Sequence, residues 1–153
     1  MRKIEIELGG MTVENPEEYL PGVIGAATLL DDLAPKTCEA LWRMLPITTR
    51  TIHTYQLGQT WRTEGNYKLT ESGSVEENLA PEVARLAPGN IYYFRPGNAT
   101  KFKIMMIYNI ANSYPRTRLS HIATIDEGLE GLIRESRKIL YQGPLTVTFR
   151  RRE

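Results

Sequence analysis

Residues 31–46 (DDLAPKTCEALWRMLP) carry a helix with both ends written in the sequence, and the segments on either side read as strands. Cys38, Leu41, Trp42 and Leu45 recur at helical spacing and make one apolar stripe. Lys36, Glu39 and Arg43 lie on the other side. Glu39 and Arg43 form an i, i+4 pair with the acid first, the better orientation, worth about 0.2–0.5 kcal/mol. Pro35 suits the first helical position, and Asp31 and Asp32 favour the positive end of the helix dipole. Pro46 pushes Leu45 out of helical geometry. A helix stopped this firmly does not extend into its neighbours, so the chain must place it against the strands that flank it. Cys38 and Trp42 are expected to fill the core beneath it.

The strands follow from alternation. Ile4, Ile6 and Leu8 interleave with Lys3, Glu5 and Glu7, a half-buried strand that Gly9 and Gly10 turn. Residues 15–22 read as loop, and residues 23–30, small and apolar, as a strand buried on both faces. Residues 47–60 are rich in β-branched and aromatic side chains, with Thr51, His53, Tyr55 and Leu57 on one face and Ile52, Thr54 and Gln56 on the other. Gly58 and Gln59 turn the chain back through Thr60-Trp61-Arg62-Thr63. Residues 70–78 read as an exposed polar loop and 81–86 as one helical turn.

Ala87-Pro88-Gly89-Asn90 fits a type II turn, and Pro96-Gly97-Asn98 is a second of the same kind. Between them Tyr92 and Phe94 alternate with Ile91, Tyr93 and Arg95. Residues 101–110 are apolar on both faces, as a central strand would be, and 119–125 form a strand carrying His121. Residues 126–140 are a second helix, with Asp126 as N-cap and Leu129, Leu132, Ile133, Ile139 and Leu140 on its buried face. Leu145, Val147 and Phe149 belong to a last strand, and Arg150-Arg151-Arg152 reads as a solvated tail. Many short strands and two helices, with no β-α-β alternation, argue for a mainly β fold: a closed barrel whose open ends two α-helices cap. Residues 1–153 have the length of one such domain.

Nineteen basic residues against eighteen acidic ones leave no electrostatic case for nucleic acid or an anionic membrane as partner. Cys38, the single cysteine, cannot close an intrachain disulfide and fits a reducing compartment. No apolar run approaches the roughly 18 residues of a membrane span, and the N-terminus lacks the apolar stretch of a signal peptide. A cytoplasmic protein is the expectation. The two histidines and scattered acids show no metal-ligand spacing, and no phosphate loop or dinucleotide fingerprint is present, so neither metal nor cofactor is expected. Ser120 and His121 are adjacent in a strand and so face opposite sides, which argues against a shared catalytic role.

With the order of elements in place, the chain resembles a cyclophilin. Leu29-Leu30-Asp31-Asp32-Leu33-Ala34-Pro35-Lys36-Thr37 matches that family's strand, acidic-apolar turn and helix opening on Pro-Lys-Thr. Pro88-Gly89-Asn90-Ile91, Pro96-Gly97-Asn98 and residues 121–129 (HIATIDEGL) match the later turns, strand and helix. Ala34-Pro35-Lys36-Thr37-Cys38, Leu45-Pro46 and Arg50-Thr51-Ile52-His53 are similar to a set of small bacterial cyclophilin-like proteins of unknown function. The resemblance runs from Gly25 onward and implies a cyclophilin-like barrel.

It does not imply isomerase activity. Cyclophilins set an arginine beside an apolar proline pocket, on a Phe-His-Arg strand; this chain has Ile52-His53-Thr54 there. Threonine supplies no delocalised cation to assist a twisting amide. The Gln-Gly-Gly-Asp and Gly-Ser-Gln-Phe-Phe segments of the family are also missing. Tyr, Trp, His and Arg on barrel strands are instead what a small-molecule or peptide site uses, and the candidates are His53, Trp61, Arg62, Tyr93, Arg95 and Tyr108. His53, Trp61 and Arg62 lie near one hairpin and form the leading cluster. The first reading is a ligand-binding barrel without isomerase activity. The alternatives are a homo-oligomeric interaction module and a divergent prolyl isomerase.

Overall fold

The computed structural model describes residues 1–10, 21–54, 58–67, 85–95, 102–112 and 118–153. The strands are β1 (Lys3–Leu8), β2 (Val23–Leu29), β3 (Ile47–Thr54), β4 (Gly58–Thr63), β5 (Arg85–Leu86), β6 (Asn90–Arg95), β7 (Lys103–Asn112), β8 (Arg118–Glu127) and β9 (Thr146–Arg152), with helices α1 (Pro35–Met44) and α2 (Leu129–Gln142). Eight strands follow one another around the sheet as β4-β3-β9-β1-β2-β8-β6-β7, and β7 pairs back onto β4, so the sheet closes into an antiparallel barrel. The short β5 adds to β7. Closure removes the exposed edges that an open sheet would present.

Alternation assigns the faces. Ile4, Ile6, Leu29, Ile47, Trp61, Tyr93, Ile104, Met106, Val147 and Phe149 fill the interior and pack with Cys38 and Leu41 of α1 and Leu132 and Ile139 of α2. A second buried cluster, Leu86, Tyr92, Phe94, Met105, Ile107, Ala111 and Leu119, takes the opposite parity on β6 and β7. That explains why β7 is apolar on both faces.

The helices seat on opposite mouths. At α1 the Cys38 thiol donates to the Ile122 carbonyl at 3.4 Å, and Arg2, just before β1, pairs with Asp31 and with Glu39 at 2.7 Å. At α2 the neighbours are Gly9, past the far end of β1, and Val23 and Gly25, at the start of β2. Gly25 is required there: a Cβ on it would lie 2.4 Å from Leu132 Cδ1 and 2.8 Å from the Glu127 carbonyl oxygen. Leu45, extended at φ −63°, ψ 143°, ends α1 as Pro46 dictates, and Glu39 and Arg43 pair at 2.7 Å. The turn into β6 also forms as expected, with Gly89 at φ 88° and the Asn90 N–H donating to the Ala87 carbonyl at 3.3 Å.

Four expectations are corrected. Asp126 does not cap α2: β8 runs on to Glu127, and the cap is Gly128 in the left-handed region at φ 71°. The Asp126 carboxylate instead accepts from the Thr28 hydroxyl at 2.5 Å and lies 3.5 Å from Lys3 Nζ, which draws it into the sheet. Arg150-Arg151-Arg152 is not a tail but the end of β9. Arg150 pairs with Glu5 at 2.6 Å and Glu7 at 2.9 Å, and Arg152 with Glu127 at 2.5 Å. Trp42 does not fill the barrel. It packs at the margin, with the guanidiniums of Arg2 and Arg151 over its ring at 5.4 and 5.2 Å. Residues 85 and 86 are strand, not part of a helical turn, because they add to β7. The loop at 70–78, the turn at 96–98, most of the loop at 15–22 and residues Tyr55, Gln56 and Leu57 lie outside the described residues.

Candidate functional site

Strand register decides which candidates meet. His53 and Trp61 are direct cross-strand partners, so their side chains share a face. Trp61 is also opposite Met106, and Tyr108, two residues further on, keeps that face. The three converge inside the barrel at the mouth under α2. His53 Nε2 and the Tyr108 hydroxyl share a hydrogen bond of 2.6 Å, and their rings meet edge-on with centroids 5.7 Å apart. The Trp61 indole N–H donates to Ser136 Oγ at 2.9 Å, and the Ser136 hydroxyl donates to the Leu132 carbonyl at 2.7 Å. Trp61 and Tyr108 are buried, whereas His53 is half-buried and keeps access to the mouth.

Burial sets the charge states. It holds the His53 imidazole below its ordinary value of 6.5, with a backbone hydrogen bond at Thr54 acting in the other direction. Burial raises the Tyr108 phenol; the nearby Tyr141 adds to this and the Arg137 guanidinium opposes it. Both groups of the hydrogen-bonded pair are therefore neutral at pH 7. A neutral imidazole offers one donor and one acceptor nitrogen, and a phenol can serve as either. The pair can recognise a polar ligand without committing a charge.

The other candidates go elsewhere. Arg62 neighbours Trp61 in sequence and therefore points the opposite way, out of the barrel, with Ile52 and Met105 as its cross-strand partners. It is half-buried, and its guanidinium donates to the Thr63 carbonyl at 3.4 Å. The leading cluster is thus divided by the sheet, two members within and one without. Tyr93 is core, stacked on Phe102 with centroids 5.9 Å apart and no exposure. Arg95 ends β6 opposite Arg118, and its side chain lies outside the described residues. Ser120 and His121 do face opposite ways: Ser120 pairs with the inward Tyr93, and His121 with Tyr92 of the second cluster, its ring 5.0 Å from the tyrosine ring. Thr54, at the position where the cyclophilin pattern has arginine, spends its hydroxyl on Thr60 across the hairpin.

Sequence reading missed Ser136, Arg137 and Tyr141 of α2. Leu132, Ser136 and Ile139 are the buried positions of the helix, while Leu140, expected inside, is 42% exposed. The signal was present: 132, 136 and 139 keep helical spacing, and a serine on that stripe asks for a buried partner. Trp61 is that partner. No group of three or more His, Cys, Asp or Glu is placed to hold a metal ion among the described residues.

At the other mouth a cleft of about 560 Å³ is lined by Met1, Arg2, Lys3, Asp31, Trp42, Arg152 and Glu153. Its cations are engaged: Lys3 with Glu127 at 3.0 Å, Arg152 with the same carboxylate, and Arg2 with Asp31 and Glu39. Among the described residues no helix is long and apolar enough to cross a membrane.

Residues 20–151 match a family model described as a protein of unknown function (DUF3830), and the chain belongs to that family. No curated protein matches the sequence. Among solved structures the fold is similar to that of McbB in complex with tryptophan, with a TM-score of 0.64 at 16% identity. The match covers 97% of this chain and 44% of McbB, so this chain spans less than half the length of that structure, and the likeness is one of fold.

Proposed function

We propose that this DUF3830 member is a cyclophilin-like barrel that binds a small molecule or peptide at the mouth beneath α2, without isomerising prolyl bonds. One observation carries the reading: a half-buried neutral histidine hydrogen-bonded at 2.6 Å to a buried tyrosine, inside a barrel mouth and beside a buried Trp-Ser pair. A sheet closed by eight strands with a helix on each mouth is also what the cyclophilin resemblance implies. Against isomerase activity stands Thr54, committed to Thr60, with Arg62 turned to the outer face and donating to its own strand.

The test is to follow the His53 imidazole by NMR at pH 7 while small molecules are added. Tryptophan goes first, because the structural neighbour is solved with it. Saturable movement of the His53 signals is expected, lost or weakened at least tenfold in His53→Gln. A screen that binds without moving His53, or does not bind, would overturn the site. A protease-coupled proline-peptide assay is expected to run at the uncatalysed rate, and any acceleration would restore the isomerase alternative.

A homo-oligomeric module is the second reading. It rests on Ile24, Leu33, Met44, Leu140 and Tyr141, large apolar side chains left between 40% and 84% exposed. A monomer by light scattering at micromolar concentration would remove it.

A further inference from the structure

The rim of the α2 mouth carries a cation that its own helix does not neutralise. Along α2, Arg134 pairs with Glu130 at 3.7 Å and Lys138 with Glu135 at 2.8 Å. Arg137 lies between them and makes no ion pair among the described residues. Its position is set by Ser136, which takes the Trp61 indole N–H and so fixes this turn of α2 over the mouth. Tyr141 follows four residues later on the same face of the helix and is 84% exposed. The Arg137 charge is close enough to act on the Tyr108 hydroxyl, the partner of His53. The mouth thus presents a neutral imidazole–phenol pair within, a rim guanidinium with no ion pair among the described residues and an aromatic ring beside it.

We propose that the ligand of this mouth is a carboxylic acid, its carboxylate held by Arg137 and its polar body by His53 and Tyr108. The proposal rests on the binding site argued above and adds the class of ligand. A guanidinium is planar, permanently charged and matched to two carboxylate oxygens at once. The one arginine on this rim with no ion pair among the described residues suits a single negative charge. His53 and Tyr108, both neutral, add no second cation for a dianion such as phosphate among the described residues.

Benzoate and benzamide make the probe pair, alike in size and differing in charge. Each is titrated at pH 7 into the full chain, into Arg137→Gln and into Arg134→Gln, with the His53 imidazole signals as readout. Benzoate is expected to bind about fivefold tighter than benzamide in the parent chain and in Arg134→Gln, the scale of one partly exposed ion pair. Arg137→Gln is expected to bring the two affinities together while His53 still responds. Equal affinity of the two probes in the parent chain would overturn the carboxylate proposal and leave the site intact, as would a preference that survives in Arg137→Gln. No movement of His53 with either probe would overturn the site and the proposal together.

Discussion

The two mouths of the barrel are closed by different chemistry. Under α1 the polar groups are spent on one another. Arg2 bridges Asp31 and Glu39, Glu39 also holds Arg43, and the Lys3 and Arg152 that line this cleft are held from the far side by Glu127, the residue before the α2 cap. The Arg151 guanidinium lies over Trp42 and donates to its carbonyl at 2.9 Å. Under α2 the seal is apolar, with Leu132 and Ile139 in the core; the helix pairs Arg134 with Glu130 and Lys138 with Glu135, and Arg137 makes no ion pair among the described residues. A girdle of ion pairs closes the α1 end; at the α2 end the neutral His53–Tyr108 pair lies under a helix whose Arg137 has no ion pair among the described residues.

The largest effect expected on this contrast is shared by both mouths. Leu41→Ala under α1 and Leu132→Ala under α2 each empty a fully buried position and should cost about 2–5 kcal/mol in urea denaturation. If only one does, the other helix is not a plug and the comparison fails. Gly25→Ala should cost about 1–3 kcal/mol by the same measurement, because the new methyl meets Leu132 and the Glu127 carbonyl and α2 must lift. An unchanged denaturation midpoint would show that the seat of α2 is loose.

Acid should open the mouths in sequence. His53 takes its proton at lower pH folded than unfolded, so its contribution is complete above about pH 6.5 and is lost as pH falls through the depressed folded value. His121, shifted in the same direction by burial on the outer face, adds to that window. Glu39, held down chiefly by Arg2 with Arg43, and Glu127, held down chiefly by Arg152 with Lys3, lie below the ordinary 4.5. Their contribution is present above that value and fades as pH falls through the folded ones. Stability against pH should therefore decline in two stages, and His53→Gln should shrink the first without touching the second. A single stage in the parent chain would merge the two mouths. The smallest effect concerns salt: raising ionic strength should weaken the α1 girdle only slightly, because its ion pairs are partly exposed. Arg2→Gln should remove the part of that salt dependence that its pairs with Asp31 and Glu39 carry.

The fold was legible because its signals are local. Pro35, Pro46 and the stripe through Cys38 and Leu41 bound α1, and the alternation of Ile4, Ile6 and Leu8 survives in β1. Errors arose where distant groups compete for a residue. Asp126 looks like a cap until Thr28, 98 positions away, is brought to it. Arg150 looks like a tail until Glu5 and Glu7 arrive on β1. The site was half legible. His53, Trp61 and Tyr108 carry the right chemistry, and period-two alternation alone separates Trp61 from its neighbour Arg62. The spacing of 132, 136 and 139 already marks Ser136 as buried, but Arg137 and Tyr141 acquire meaning only once α2 is seated over the mouth.

The tryptophans divide along the same line. Trp61 is wholly buried under α2 with its N–H on Ser136, and Trp42 lies half-buried at the α1 margin in contact with two guanidiniums. The molecule therefore carries one native fluorophore at each end. Trp61 should emit to the blue and resist iodide, and Trp42 should emit further to the red and be quenched. Each mouth reports its own opening in its own colour, with no label added.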